Sequence, residues 1–383
     1  MSPAVRVAAL PPAPVPYREP LWAGLAARDA LELRVIHQAA RGTGWGMRED
    51  WYAAEHPYDA VHLRARQLAR RGGTGTPIVW SSGLERALRA FDPAVVVAWE
   101  YGPSALRAAR WCRRHDRPLV IFSELTPAAA ATLPGWQQRL HGRLAQRAAG
   151  FIGASSQARD RFVELGADPA RVEVSLQSAD LEPFRAAATE RAAREDGPVR
   201  FLSVGRLVGP KNHATLIEAW AAARLDPAAA ELELVGAGPL EDDLRALAGR
   251  LDVPARFSGE LGPGDLPAAH ARADVFVLAS TLEPFGVAVR EAVAAGLPVI
   301  CTRTAGAAGD VAVEGRNALL FDPTSVTALA LALQRLAGDG AERARLAAGS
   351  GAVDAETGIG RSVEGFERAV LRATGSEGPN GGR

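Results

Sequence analysis

Of the 44 lysines and arginines in this chain only one, Lys211, is lysine. The 383 residues include just two cysteines, Cys112 and Cys301, too far apart to make a metal-spaced pair. That spacing offers neither a disulfide framework nor a zinc site. No stretch reaches the roughly 18 uninterrupted apolar residues of a membrane span. The start, MSPAVRVAALPPAPVP, lacks the cationic opening and long apolar run of a secretory signal. Its strand-like run VRVAALPPAPVP holds no glycine, so the G-x-G-x-x-G fingerprint of a dinucleotide-binding oxidoreductase is missing there. Formal net charge is zero, which removes any global field toward nucleic acid or an anionic bilayer. The expectation is a reduced, cytoplasmic protein with no nucleic-acid partner.

What is present is a globular composition, 48% hydrophobic, in a chain long enough for two domains. Short β-rich runs alternate with Ala/Leu/Arg helices. In the first half they are VRVAAL, LELRVIH, AVVVAW, LVIFSE, FIGAS and VEVSL; in the second, VRFLSVG, ELELVG, ARFSG, VFVLAS, PVICT and ALLF. Several are apolar throughout, as strands of a parallel sheet covered on both faces must be. The pattern predicts an α/β fold with right-handed crossovers. It divides into a first domain at 1–180, a linker at 181–198, a second domain at 199–360, a last helix near 361–373 and a disordered tail at 374–383.

Seven of the eight tryptophans precede the linker, and so does the Gly- and Trp-rich stretch 38–59, which reads as a functional loop. Tryptophan suits stacking on sugars, but core packing is the commoner use. Residues 133–150 set Leu133, Trp136, Leu140 and Leu144 against Arg139, Arg143 and Arg147. Such a helix either covers a sheet, the reading preferred here, or makes peripheral contact with a membrane.

Two constellations carry chemistry. In FLSVGRLVGPKNHATLIEAW a strand, a glycine turn and a helix follow one another, the arrangement that aims free backbone N–H groups at an anion. Gly205 lies in the turn and Arg206 and Lys211 flank it. An Arg fork grips two oxygens, while a compact ammonium follows a single charge as it grows. In a chain that otherwise writes its cations as arginine, Lys211 reads as a point-charge partner of a diphosphate rather than as a solvated surface residue. In STLEPFGVAVREAVAAGLPVI, Pro284 begins a helix predicted over 285–295. Glu283 then stands at its mouth beside the N–H groups of Phe285, Gly286 and Val287. Glu291 follows eight residues on; because Glu283 lies outside the helix and can turn back, both carboxylates point into one crevice, where they suit sugar or ribose hydroxyls. The plainer alternatives are a helix-capping acid at 283 and a surface acid at 291. VGAGP at 235–239 is a weak G-x-G signal, the loop after CTRT a third candidate anion cradle. No carboxylate or His cluster has metal spacing, so no metal or other cofactor is expected beyond the donor substrate itself.

Together VGRLVGPKN, LVGAGP, FSGEL followed by Ala273-Asp274, and EPFGVAVREAVAAGLPVI resemble the retaining glycosyltransferases of the GT-B fold, family GT4, over roughly 199–323. The resemblance implies two Rossmann-like domains facing across a cleft, the first binding acceptor and the second a nucleotide-sugar donor. It also implies that the helix near 361–373 packs back on the first domain. Arg206 and Lys211 become the diphosphate grip and Glu283 the holder of donor-sugar hydroxyls, catalytic residues in that sense. Gly205, Phe285, Gly286, Val287 and Glu291 become donor-binding residues, Glu291 at the ribose, and Arg256–Leu261 a base-contacting stretch. The implied partners are that donor and a carbohydrate, lipid-linked or small-molecule hydroxyl acceptor. Three departures stand out: Gly306-Ala307-Ala308-Gly309-Asp310 replaces a G-G-x-P-E loop, PVPYREPLW replaces an early glycine pair, and IFSELT has Ser123 or Glu124 where many members carry His. Glu124 or Glu100 is then the candidate for acceptor contact. A nucleotide-sugar epimerase and a non-catalytic sugar-binding module remain the rival readings.

Overall fold

The computed structural model describes residues 3–39, 56–69, 78–190 and 197–376. Trp45 and Trp51, most of the 38–59 loop and the end of the tail lie outside them. The chain forms two compact units: residues 1–180 with 359–383, and 181–358.

The first unit holds a seven-stranded parallel sheet and a hairpin. Its strands are β1 (Val5–Leu10), β2 (Leu31–His37), β3 (Asp59–His62), the antiparallel hairpin β4 (Arg64–Ala69) and β5 (Ile78–Ser82), β6 (Val95–Trp99), β7 (Leu119–Ser123), β8 (Gly150–Gly153) and β9 (Val172–Val174). The sheet order is β3-β2-β1-β6-β7-β8-β9. Alternate residues of β1 go to opposite cores: Val7 and Ala9 with Trp22, Trp99 and Phe366, Ala8 and Leu10 with Phe91, Trp111 and Phe151. Both faces are therefore dry, which explains the near-continuous apolar strands. Trp22 meets Trp99 and Phe366 edge-on at 5.8 and 5.9 Å between ring centres. The core reading thus holds for Trp22, Trp99 and Trp111, while Trp80 and Trp136 are exposed. The helix Gly135–Ala145 tucks Leu144 and Ala145 into the sheet's cover and stacks His141 on Tyr101, leaving Trp136 outside. The last helix, Ile359–Ala373, packs Val363, Phe366 and Val370 into this same unit.

The second unit is a six-stranded parallel sheet of β10 (Val199–Val204), β11 (Ala230–Val235), β12 (Ala255–Phe257), β13 (Val275–Leu278), β14 (Val299–Thr302) and β15 (Ala318–Phe321). Its order, β12-β11-β10-β13-β14-β15, is the doubly wound arrangement whose strand sequence reverses between β10 and β13. The helix His213–Ala223 covers one face with Leu216, Ile217 and Trp220, all buried as its periodicity requires. The linker expected from residue 181 starts differently. Glu182–Glu190 is a helix belonging to the second unit, tied there by Arg185 to Asp354 at 2.7 Å and by Phe184 edge-on to His270. Leu181 and Phe184 are apolar anchors that the polar, Ala-rich composition of the segment conceals.

Candidate functional site

In an open parallel sheet, ligands sit beyond the carboxyl ends of the strands where the order reverses. In the second unit that point receives the turn after β10 and the loop after β13, which carry the two sequence constellations.

The turn runs from Gly205 through a short 3-10 segment, Gly209–Lys211, to Asn212. Asn212 is left-handed, with φ 57°, and its amide donates to the carbonyls of Ala279 and Pro323, each at 3.1 Å. Those two bonds lash the turn to the ends of β13 and β15. Gly236 lies under it: a Cβ there would come within 2.0 Å of the Gly205 carbonyl oxygen. The VGAGP signal is thus a brace that lets two backbones touch. The methylenes of Lys211 lie along Gly205, where a Cβ would sit 3.4 Å from Cδ. His213, buried beside Lys211, is pushed down to about 4 by desolvation and then by the lysine's charge. It is neutral at pH 7, leaving Lys211 as the cation at this spot.

After β13, Glu283 is buried. Its carboxylate accepts from Lys211 Nζ in a short ion pair, and from Ser280 Oγ at 3.1 Å. The main chain of 283–285 is held from below, where the N–H groups of Gly306 and Ala307 donate to the carbonyls of Glu283 and Phe285 at 3.1 and 2.8 Å. The expected third anion cradle is corrected accordingly. The N–H groups of Gly306 and Ala307 are spent on the Glu283 loop. Gly306 is required there, because a Cβ would lie 2.0 Å from the Pro284 carbonyl oxygen.

The following helix begins at Val287, two residues later than predicted, because Gly286 adopts φ 99° and caps it from outside, and it ends at Ala294, one residue early. Among the described residues no side chain caps its start, so its first N–H groups, beginning with Val287, are open to a ligand. Phe285 turns its ring into the interior. The carboxylate of Glu291, half-buried farther along, has no hydrogen-bond or ion-pair partner among the described residues. Burial alone pushes its carboxyl up to about 7. Arg290 is buried and donates to the Thr357 carbonyl. The structure therefore brings Gly205, Lys211, Glu283 and Gly286 together. Arg206 stands apart, exposed and without a side-chain partner among the described residues.

The first unit has a parallel arrangement at its own reversal point, between β1 and β6, and sequence reasoning caught only half of it. Arg18 is buried, pairs with Glu124 at 2.5 Å and lies over the Trp99 ring at 4.7 Å. Glu100 takes up a left-handed backbone, φ 56°, and accepts from Ser123 Oγ at 2.8 Å and the Glu124 N–H at 2.6 Å. Burial, and next the Glu124 charge, push its carboxyl up to about 7. The neighbouring Glu19 binds His56 at 3.0 Å and Tyr58 at 2.9 Å, and His56 meets His62 at 3.2 Å. The missed residues are Arg18, Glu19, His56 and His62. The one available signal was a charged Arg-Glu pair inside the proline-rich segment PVPYREPLW. Among the described residues no three His, Cys, Asp or Glu side chains assemble as metal ligands.

Comparison with known proteins fits this geometry. Residues 13–175 match the glycosyl transferase 4-like domain and residues 185–350 the family described as glycosyl transferases group 1. The chain belongs to the GT4-type glycosyltransferase family. A relative within it, glycogen synthase of Mycobacterium tuberculosis, is 30% identical over 271 residues, 68% of this chain and 64% of that protein. The chain thus spans less than two thirds of the length of that curated relative. Among solved structures, Anabaena Alr3699/HepE in complex with UDP aligns with a TM-score of 0.72 at 17% identity, covering 96% of this chain and 99% of the other. Sucrose-phosphate synthase from Thermosynechococcus elongatus gives 0.73 at 18% identity, covering 97% and 100%. At these identities the likeness shows the fold of the family member, two Rossmann-like units of GT-B type.

Proposed function

We propose that the protein transfers a hexose-type sugar from a nucleotide-diphosphate donor to a hydroxyl acceptor, with the anomeric configuration retained. The observation that carries this reading is the Lys211–Glu283 pair at the reversal point of the second unit, flanked by an uncapped helix end. Breaking the sugar–phosphate bond leaves negative charge on the departing phosphate. A fixed ammonium and open helix N–H groups stabilise that charge where it develops. Glu283 accepts from donor-sugar hydroxyls and Glu291 from the ribose. Arg206, exposed, swings onto the diphosphate. HepE, of the same fold, has been solved with UDP, with UDP and glucose, and with UDP-glucose, which supports a nucleotide sugar as ligand. Retention rests on the resemblance of Glu283-x7-Glu291 to the signature of retaining members. On the acceptor side we assign the Glu124–Arg18 pair and the strained Glu100; backbone strain of this kind gathers at binding sites.

The test is thermal stabilisation by a panel including UDP-glucose and GDP-mannose, followed by turnover with and without acceptor. A bound donor raises the melting temperature by mass action. Lys211→Ala should remove most of that rise and reduce transfer by roughly 100-fold, the scale of one lost transition-state donor. Lys211→Arg should restore it only in part. Normal transfer by Lys211→Ala would defeat the reading, and product formed without acceptor would favour an epimerase.

A further inference from the structure

The two groups assigned to separate parts of the donor are bonded to each other. We infer that Glu283 discriminates the nucleotide sugar from the bare nucleoside diphosphate by competing for Lys211. This inference rests on the proposed function.

Glu283 is 7% exposed, and among the described residues its carboxylate has two partners, Lys211 Nζ and Ser280 Oγ. The lysine side chain is more open, at 26% against 9% for the glutamate, so it is the member of the pair that a ligand reaches first. A diphosphate that draws Lys211 away strands a buried carboxylate with a single hydroxyl partner, and an uncompensated buried charge is costly. A complete nucleotide sugar removes that cost, because its hydroxyls donate to Glu283 as its phosphate takes Lys211. A nucleoside diphosphate, the product left after transfer, brings no such hydroxyls. Glu283 reclaims Lys211 and the product's grip weakens. The same carboxylate thereby favours substrate and loosens product, a specificity that Arg206, free of any such pair, does not supply.

The experiment is a double-mutant cycle read by calorimetry, with UDP and GDP as product probes and UDP-glucose and GDP-mannose as donors. Glu283→Gln should bind the nucleoside diphosphate roughly tenfold more tightly, the scale of one bond to a charged group. It should bind the nucleotide sugar more weakly, reversing the preference. In a Lys211→Met background the gain from Glu283→Gln should vanish, because the competition has lost its object. An equal gain in that background would show that Glu283 acts by charge repulsion alone and would overturn the inference. So would unchanged product affinity in Glu283→Gln with wild-type protein binding normally. If wild-type protein binds none of the four probes, the proposed function itself fails and this inference with it. Ser280→Ala, which leaves both charges in place, should weaken product binding slightly, because the stranded carboxylate then keeps no partner, and it guards against misfolding of the Gln variant.

Discussion

Lys211 was legible because the composition made it anomalous: one ammonium among arginines at a glycine turn. Glu283 and Glu291 were legible through the proline and glycines that frame them. What the residues did not disclose is pairing. Nothing in the order of the chain says that Lys211 closes on Glu283, or that Arg18 and Glu19, adjacent in sequence, take the separate partners Glu124 and His56. Such contacts depend on side chains meeting across 37 to 106 positions. Glu291 gives a prediction at this scale. Its carboxyl titrates near 7 when folded, above the ordinary glutamate value, so between about 4.5 and 7 the folded state holds a proton that the unfolded state has lost. Stability then falls as pH rises through that window and levels off above it. Glu291→Gln should raise the melting temperature at pH 8 and change it little at pH 4.5. An equal shift at both values would mean that the carboxyl is not protonated in the fold.

At the scale of elements, the strands read from apolar runs are all present, with ends shifted by no more than two residues. Those missed were β3, β4 and β5. β3 is half-exposed along DAVH, and the hairpin pairs Arg66 with Trp80 and Gln67 with Val79 in a mixed pattern. Neither shows the apolar continuity of a buried parallel strand. The helix after Glu283 began late because a left-handed Gly286 outranked Pro284 as its boundary, a backbone choice that composition leaves open. The Gly306 loop teaches a related lesson, since its glycine serves a close approach rather than an anion. Gly306→Ala should force the 283–285 main chain outward by several tenths of an ångström or more. Nucleotide-induced stabilisation should fall even where the variant still melts cooperatively. Full retention of that stabilisation would show that the loop does not position Glu283.

Over the whole molecule, the two-unit division was visible in length and in the polar stretch near residue 190, but its bookkeeping was not. The chain passes between units near residues 180 and 358, so the last helix completes the first unit and Glu182–Glu190 the second. Long-range contacts such as the packing of Phe366 and Phe184 and the Arg185–Asp354 pair decide those memberships. Each unit reverses strand order at one point and gathers ionisable groups there, which supports separate donor and acceptor roles. Hydrogen exchange of the whole chain with and without UDP-glucose or GDP-mannose tests the assignment most directly. Protection is predicted in peptides spanning 203–213 and 280–291, with smaller change in 95–125. Protection confined to the first unit, or none with any nucleotide sugar, would contradict it.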